Sequence, residues 1–104
     1  MAALRIEWTR PSRSQFDELR LRAVDTGKYE QFRQVHNEIV VALRDLTQAR
    51  EKGELLYKTR RPGGEVHHWV HRFISVCYVI FGDEQVGWIL RYKSVPESWP
   101  EGAT

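Results

Sequence analysis

The chain has 104 residues, a length that predicts one domain with one modest hydrophobic core. Sixteen lysines and arginines oppose fourteen aspartates and glutamates, and a formal charge of +2 does not by itself indicate a nucleic-acid-binding protein. Cys77 is the only cysteine, which excludes an internal disulfide. No apolar run approaches the length of a membrane span, so we expect a soluble protein of the cytoplasm.

The first two predicted elements are a short strand and a helix. Apolar and polar residues alternate over residues 4–9, which predicts a strand at the edge of a sheet. A helix then opens at Ser12, where Gln15 three residues later resembles a capping box. The helix ends at Gly27, which suits a left-handed C-cap.

A second helix has the clearest signal in the chain. Apolar residues recur at helical spacing as Phe32, Val35, Ile39, Leu43 and Leu46, and Gly53 stops the pattern. We expect this stripe in the core and the two helices as an antiparallel hairpin. Residues 54–61 are ambiguous between a helical extension and a loop, and residues 62–64 form a clear break.

Three strands rich in β-branched and aromatic residues are predicted over residues 66–73, 75–81 and 86–93. The first two are joined too closely for an ordinary turn, which leaves either a sharp bend or one long bent strand. We therefore predict an α+β fold: an N-terminal strand, then a two-helix antiparallel hairpin packed on a twisted antiparallel sheet of about four strands. One domain is expected over residues 1–104, with a flexible tail over residues 96–104.

This order of elements resembles the RelE/ParE superfamily of bacterial toxins. The resemblance covers residues 4–95 and depends on the helical stripe through Leu46, the loop of residues 57–60, the strand of residues 75–80 and the segment of residues 86–90. It implies helices packed on one face of a twisted antiparallel sheet.

The resemblance also implies a function. RelE-like members cut messenger RNA on the ribosome, whereas ParE-like members bind DNA gyrase, and an antitoxin that wraps the toxin neutralises both. We expect the toxin of a type II toxin–antitoxin system with RelE-like, metal-free endoribonuclease activity. The alternatives are a ParE-like inhibitor of gyrase and a non-toxic RNA-binding or partner-binding member. Ser75 occupies the position where nucleolytic members usually place arginine, which favours the first alternative.

Cationic and imidazole side chains are concentrated in the second half of the chain. Six lysines and arginines stand against three acidic residues between Lys58 and Lys93, and three of the four histidines lie there. RNA cleavage without metal needs a group that moves protons near neutral pH and cations that stabilise the phosphate. Histidine, with an ordinary pKa of about 6.5, and the planar guanidinium of arginine suit these roles.

The catalytic candidates are therefore His68, His71, Arg72 and Arg91. The candidates for RNA binding are Lys58, Arg60, Arg61, Tyr92 and Lys93. We expect Arg72, Arg91 and Lys93 to share one concave surface.

Two simpler interpretations remain open for these residues. A histidine-rich strand is often only a half-exposed sheet surface, and alternation places His68 with Arg72 on one face and His71 on the other. The spacing of His67, His68 and His71 also suggests zinc, but zinc needs three or four convergent ligands. Because Cys77 lies among apolar residues and is expected to be buried, we predict neither a metal nor another cofactor.

Overall fold

The computed structural model describes residues 3–95, so the tail expected over residues 96–104 lies outside the described part of the chain. The elements follow in the order β1 (Arg5–Trp8), α1 (Arg10–Asp25), α2 (Tyr29–Leu43), α3 (Leu46–Lys52), β2 (Glu54–Lys58), β3 (Gly64–His71), β4 (Ile74–Phe81) and β5 (Val86–Ser94). A single 3₁₀ turn, Gly82–Glu84, joins β4 to β5. The predicted α+β class is confirmed.

The described strands form one five-stranded sheet in the order β1-β5-β4-β3-β2. Strands β2 to β5 pair in antiparallel fashion, whereas β1 pairs parallel to β5 at the sheet edge. The sheet has one strand more than the four expected, because residues 54–58 of the ambiguous segment pair with β3 as strand β2. The predicted edge position of β1 is confirmed.

The helices cover one face of this sheet, which we call the helix-covered face. The apolar stripe of α2 is buried there, against strand residues that alternate inwards. Each large apolar side chain removed from water contributes about 1.5–3 kcal/mol. The fully or nearly fully buried contributors from the two layers include Phe32, Val35, Ile39, Leu43, Ile74, Val76, Tyr78, Ile80, Ile89 and Tyr92.

The helix boundaries differ from the prediction at two places. Thr9, not Ser12, is the N-cap of α1, since its Oγ1 accepts the backbone N–H of Ser12 at 3.2 Å. The side chain of Gln15 instead accepts the backbone N–H of Tyr92 at 2.8 Å, which connects α1 to β5. The left-handed end predicted at Gly27 is confirmed by a φ of 71°.

The second predicted helix is interrupted near its C-terminal end. Asp45 has an extended backbone and its side chain accepts the N–H of Gln48 at 3.0 Å, so it caps a new helix, α3. The carbonyl of Arg44 accepts the N–H of Leu4 at 2.7 Å, which gives the broken helical backbone a partner from the N-terminal segment. Gly53 ends α3, as predicted.

Two irregularities of the sheet determine which side chains face the site. Strands β3 and β4 are separate and are joined by a tight turn at Arg72 and Phe73, where Arg72 has a φ of 56°. In β5 the register shifts so that Cys77 faces Arg91 while Tyr78 faces Ile89. Leu90 is thus the extra residue of a bulge, and both Leu90 and Arg91 reach the face opposite the helices.

Candidate functional site

We call the second face of the sheet the open face, since among the described residues its apolar cluster contains only strand residues. At one end Val66, Val79, Phe81 and Val86 are buried against one another and against neighbouring side chains of the strands. At the other end lies a groove of about 590 Å³, within the range of about 300–1,000 Å³ typical of ligand sites. The groove is lined by Leu56, Tyr57, Val66, His68, Ser75, Cys77, Leu90, Arg91 and Lys93.

The strand register brings a histidine and two cations to this groove. His68, Cys77 and Arg91 face one another across β3, β4 and β5. Ser75 and Lys93 form the neighbouring pair on β4 and β5. Because adjacent strands are about 4.8 Å apart, the backbones at His68 and Arg91 are about 10 Å apart, with the Cys77 strand between them. This spacing leaves room for a phosphate between their side chains.

The side chain of His68 is held on the floor of the groove. Its Nε2 and Oγ of Ser75 share a hydrogen bond of 2.7 Å. Arg91 and Lys93 are exposed, and within residues 3–95 the lining of the groove includes no carboxylate. Glu54, on the edge strand, is the acidic residue whose register position faces His68. Arg91 and Lys93, the exposed cations of the lining, make the groove suited to an anion.

The sequence predicts a buried Cys77, but the residue is only half-buried and lies on the floor of the groove. Burial raises the pKa of its thiol, and the nearby charge of Arg91 offsets this effect only in part. The thiol is therefore protonated at neutral pH and does not act as a nucleophile.

His71 and Arg72 lie away from the groove, next to helix α2. Nε2 of His71 is 2.7 Å from Oε1 of Glu38, and Nε of Arg72 is 3.5 Å from the same oxygen. The hydrogen bond with His71, supported by the charge of Arg72, lowers the pKa of Glu38. The expectation that Arg72 shares a surface with Arg91 and Lys93, and a face with His68, is wrong because the strand ends at His71 and the chain turns at Arg72.

Tyr92 is fully buried on the helix-covered face, with an exposed fraction of 0%. Its hydroxyl lies 2.7 Å from Nδ1 of His36, and its ring packs at 5.3 Å from that of Trp8. In this position it offers no surface to a nucleotide, so the prediction that Tyr92 binds RNA is wrong. Alternation along β5 predicts this outcome, because Arg91 and Lys93 both face the groove and the residue between them must point the other way.

The remaining candidate cations flank the open face. Lys58 ends β2 beside a separate cleft of about 300 Å³ formed with the following loop. Arg60 is exposed in that loop. The guanidinium of Arg61 pairs with Glu84 and lies 4.5 Å from the ring centroid of Phe81. Arg61 thus covers the apolar end of the open face.

Two solved structures resemble the chain over most of its length. A chain of the chromosomal ParDE toxin–antitoxin system from P. aeruginosa is 19% identical, with a TM-score of 0.58 and coverage of 91% of this chain and 99% of the other. A chain of the archaeal RelE–RelB complex from Pyrococcus horikoshii OT3 is 17% identical, with a TM-score of 0.59 and coverage of 91% and 97%. The chain has a RelE/ParE-like fold.

The resemblance inferred from the sequence is thus confirmed at the level of the fold. No known family model and no curated protein matches the chain. The two RelE/ParE-fold structures are almost equally similar to it, so the fold does not separate a nuclease from a gyrase inhibitor. One of them is archaeal, so the fold does not point to bacteria alone.

Part of the groove could not be predicted from the sequence. Leu56 and Tyr57 form its wall, and Ser75 is the partner of His68 on its floor. The wall could not be assigned because residues 54–61 have no clear hydrophobic period.

Within residues 3–95 no group of three histidine, cysteine or acidic side chains is arranged to hold a metal ion. No helix in this part of the chain is long and apolar enough to span a bilayer.

Proposed function

We propose that this protein is the toxin of a toxin–antitoxin pair and that it cleaves RNA in the groove of the open face. The fold supports the first part, since both similar structures come from toxin–antitoxin systems. The observation that supports the second part is the meeting of His68, Arg91 and Lys93 in one groove, where no carboxylate is among the lining residues that the structure describes.

The proposed reaction uses the ribose 2′-hydroxyl as its nucleophile. His68 removes the hydroxyl proton as the 2′ oxygen forms a bond to phosphorus, and the bond from phosphorus to the 5′ oxygen breaks. The products are a 2′,3′-cyclic phosphate and a 5′-hydroxyl. A water molecule protonates the departing 5′ oxygen, and the hydroxide that it leaves takes the proton from His68, which returns the imidazole to its neutral form. A positioned general base contributes about 10²–10⁴-fold to such a step. Arg91 and Lys93 stabilise the charge on the phosphate.

In this proposal the antitoxin neutralises the protein by covering the groove. Because Arg91 and Lys93 are exposed there, the covering segment is expected to be acidic. Lys93 and Arg91 therefore serve both RNA and the antitoxin, which compete for the same charges.

A ParE-like toxin that binds gyrase is the competing function. Ser75 favours it, because nucleolytic relatives usually place arginine at this position. Such a toxin needs the surface of the groove but no proton transfer by His68. A nuclease and a gyrase inhibitor are therefore distinguished by the effect of a histidine substitution.

The test compares matched pairs of variants in a translating extract. His68→Gln and Arg91→Ala remove groups of the groove, whereas His71→Gln and Arg72→Ala remove the same residue types beside helix α2. RNA cleavage is followed by mapping 5′ ends and detecting cyclic phosphates, and DNA supercoiling by gyrase is measured in parallel. We expect His68→Gln to lower the cleavage rate about 100-fold or more and both control variants to cleave normally.

Two outcomes would overturn the nuclease proposal. Intact RNA in the presence of an active toxin, together with inhibited supercoiling, would establish the ParE-like function instead. Equal cleavage by His68→Gln and His71→Gln would remove His68 from the reaction. Thermal unfolding of each variant verifies that lost activity is not lost folding.

A further inference from the structure

Edge strand β2 presents an aromatic and apolar wall beside the cationic floor of the groove. Leu56 and Tyr57 line the groove, and their exposed fractions are 47% and 59%. Large apolar side chains exposed next to one another are a common mark of a binding surface. The wall and the floor belong to the same cavity, so one ligand can contact both.

Tyr57 is placed to meet a group bound between His68 and the cations. Its register partner on β3 is Val66, two residues from His68 and on the same face of the sheet. Among the described residues, its hydroxyl has no hydrogen-bond partner and its ring has no aromatic neighbour. The exposed ring is therefore available for stacking.

A flat apolar ring beside two exposed cations matches the chemistry of an unpaired nucleotide. The base of a single strand has a free face that stacks on an aromatic side chain, and its flanking phosphates require positive charge. In a duplex the bases are already stacked on their neighbours, so they do not reach such a wall. An aromatic wall next to a cationic floor thus favours the binding of a single-stranded nucleic acid over that of a duplex.

We propose that Tyr57, backed by Leu56, is a stacking platform for one unpaired base of single-stranded RNA, with the adjoining phosphates over Arg91 and Lys93. This inference rests on the proposed RNA cleavage and adds to it a residue that positions the substrate in that groove. The platform fixes one base, so that the neighbouring ribose lies over His68. Tyr57 takes no part in the proton transfer.

The alternative occupant of β2 is a strand from a partner protein. The register of β2 shifts between Leu55 and Tyr57, which marks a bulge in this edge strand. A bulge disrupts the regular row of backbone donors and acceptors that an added strand needs. The side chains of β2, more than its backbone edge, are therefore the recognition surface.

The test measures binding of a single-stranded RNA made uncleavable by 2′-O-methyl groups, with one adenine replaced by fluorescent 2-aminopurine. Tyr57→Ala is compared with Tyr57→Phe and with Tyr29→Ala. Tyr29 is another exposed tyrosine, with an exposed fraction of 40%, at the start of helix α2. Kd is measured at several salt concentrations, and a duplex of the same sequence is tested alongside.

We expect Tyr57→Ala to weaken binding of the single strand by about 5-fold to 100-fold and to abolish quenching of the fluorescent base. Tyr57→Phe and Tyr29→Ala should bind like the parent protein. Because Tyr57 is uncharged, the salt dependence should not change in Tyr57→Ala. In Lys93→Ala its slope should fall by about 0.7, the value for one phosphate of a single strand. The duplex should bind more weakly and should not respond to Tyr57→Ala.

Failure of the platform can be distinguished from failure of the nuclease. Unchanged affinity and quenching in Tyr57→Ala, with cleavage intact in the parent protein, overturns the platform alone. Equal loss in Tyr57→Phe and Tyr57→Ala assigns the effect to the hydroxyl and also overturns stacking. A parent protein that neither binds nor cleaves RNA overturns both, and capture of the antitoxin that depends on Tyr57 then identifies β2 as a protein interface.

Discussion

The hydroxyl of Tyr92 and Nδ1 of His36 share a hydrogen bond of 2.7 Å that connects strand β5 to helix α2. The ring of His36 also packs against Phe16, with centroids 4.6 Å apart. Burial lowers the pKa of His36 and raises that of Tyr92, so both groups are neutral at neutral pH. The pair holds the inward side of β5 in place while Arg91 and Lys93 face outwards.

Breaking this pair from one side should be costly. Tyr92→Phe removes the hydroxyl and leaves a ring nitrogen of His36 without its partner, and His36→Phe leaves the buried hydroxyl alone. We expect each single variant to lower the free energy of unfolding by about 1–3 kcal/mol. The double variant should lose less than the sum of the two. Urea unfolding measures all four proteins, and strictly additive losses would contradict the coupling.

Acid should destabilise the protein partly through His36. Because its pKa is lower in the folded state than in the unfolded chain, unfolding takes up a proton as the pH falls below about 6.5. Stability contributed by the neutral ring is therefore present at higher pH and is lost progressively down to the folded pKa. We expect the double variant lacking both groups to have a flatter dependence of unfolding free energy on pH below about 6.5. The other three histidines are present in both the parent protein and the double variant, so their effect on the unfolding free energy cancels in the comparison.

The contrast between β5 and β2 explains how far the sequence could predict the site. Alternation along β5 separates Tyr92 from Arg91 and Lys93, although Tyr92 is grouped with Lys93 among the predicted RNA-binding residues. The segment that became β2 is an edge strand exposed along its whole length, so it has no apolar period to reveal its faces. Its wall, Leu56 and Tyr57, became visible only through its pairing with β3.

The helical break had a different cause. The apolar stripe continues through Leu46, and only the short side chain of Asp45 indicates a new start. The break is stabilised by the bond from Leu4 to Arg44, a contact between residues far apart in the chain. The local sequence pattern around Asp45 cannot reveal a hydrogen bond to Leu4. The apolar stripe itself correctly predicted the core residues of α2.

Glu38 should stabilise the protein in a way that depends on acid. The hydrogen bond with His71 and the charge of Arg72 lower its pKa, so its contribution is present above the ordinary pKa of a glutamate and is lost as the pH falls through the folded value. We expect Glu38→Gln to lower Tm slightly at pH 7 and to match the parent protein in strong acid. RNA cleavage should not change, because Glu38 lies beside α2. A loss of cleavage would place this cluster in the reaction.

Gly53 should tolerate no larger side chain. A Cβ at this position would clash with the hydroxyl of Tyr78, which donates to the carbonyl of Ala49 at 2.6 Å and is buried. We expect Gly53→Ala to lower the free energy of unfolding by about 1–3 kcal/mol, as is usual for overpacking. Thr47→Ala, on the exposed side of α3, is the matched control and should have little effect. An unchanged Gly53→Ala protein would show that the contact between α3 and β4 can relax.

Ser75 should act on cleavage through His68. Its hydroxyl is 2.7 Å from Nε2 of the imidazole, so its removal frees the ring to rotate without removing any charge from the groove. We expect Ser75→Ala to lower kcat about 10-fold with little change in KM, since small losses of alignment are costly in catalysis. Ser75→Thr keeps a hydroxyl and should restore most of the rate. Equal loss of rate in Ser75→Ala and Ser75→Thr would show that volume at this position matters and that the hydrogen bond does not. A rise in KM with kcat unchanged would assign Ser75 to RNA binding instead of positioning.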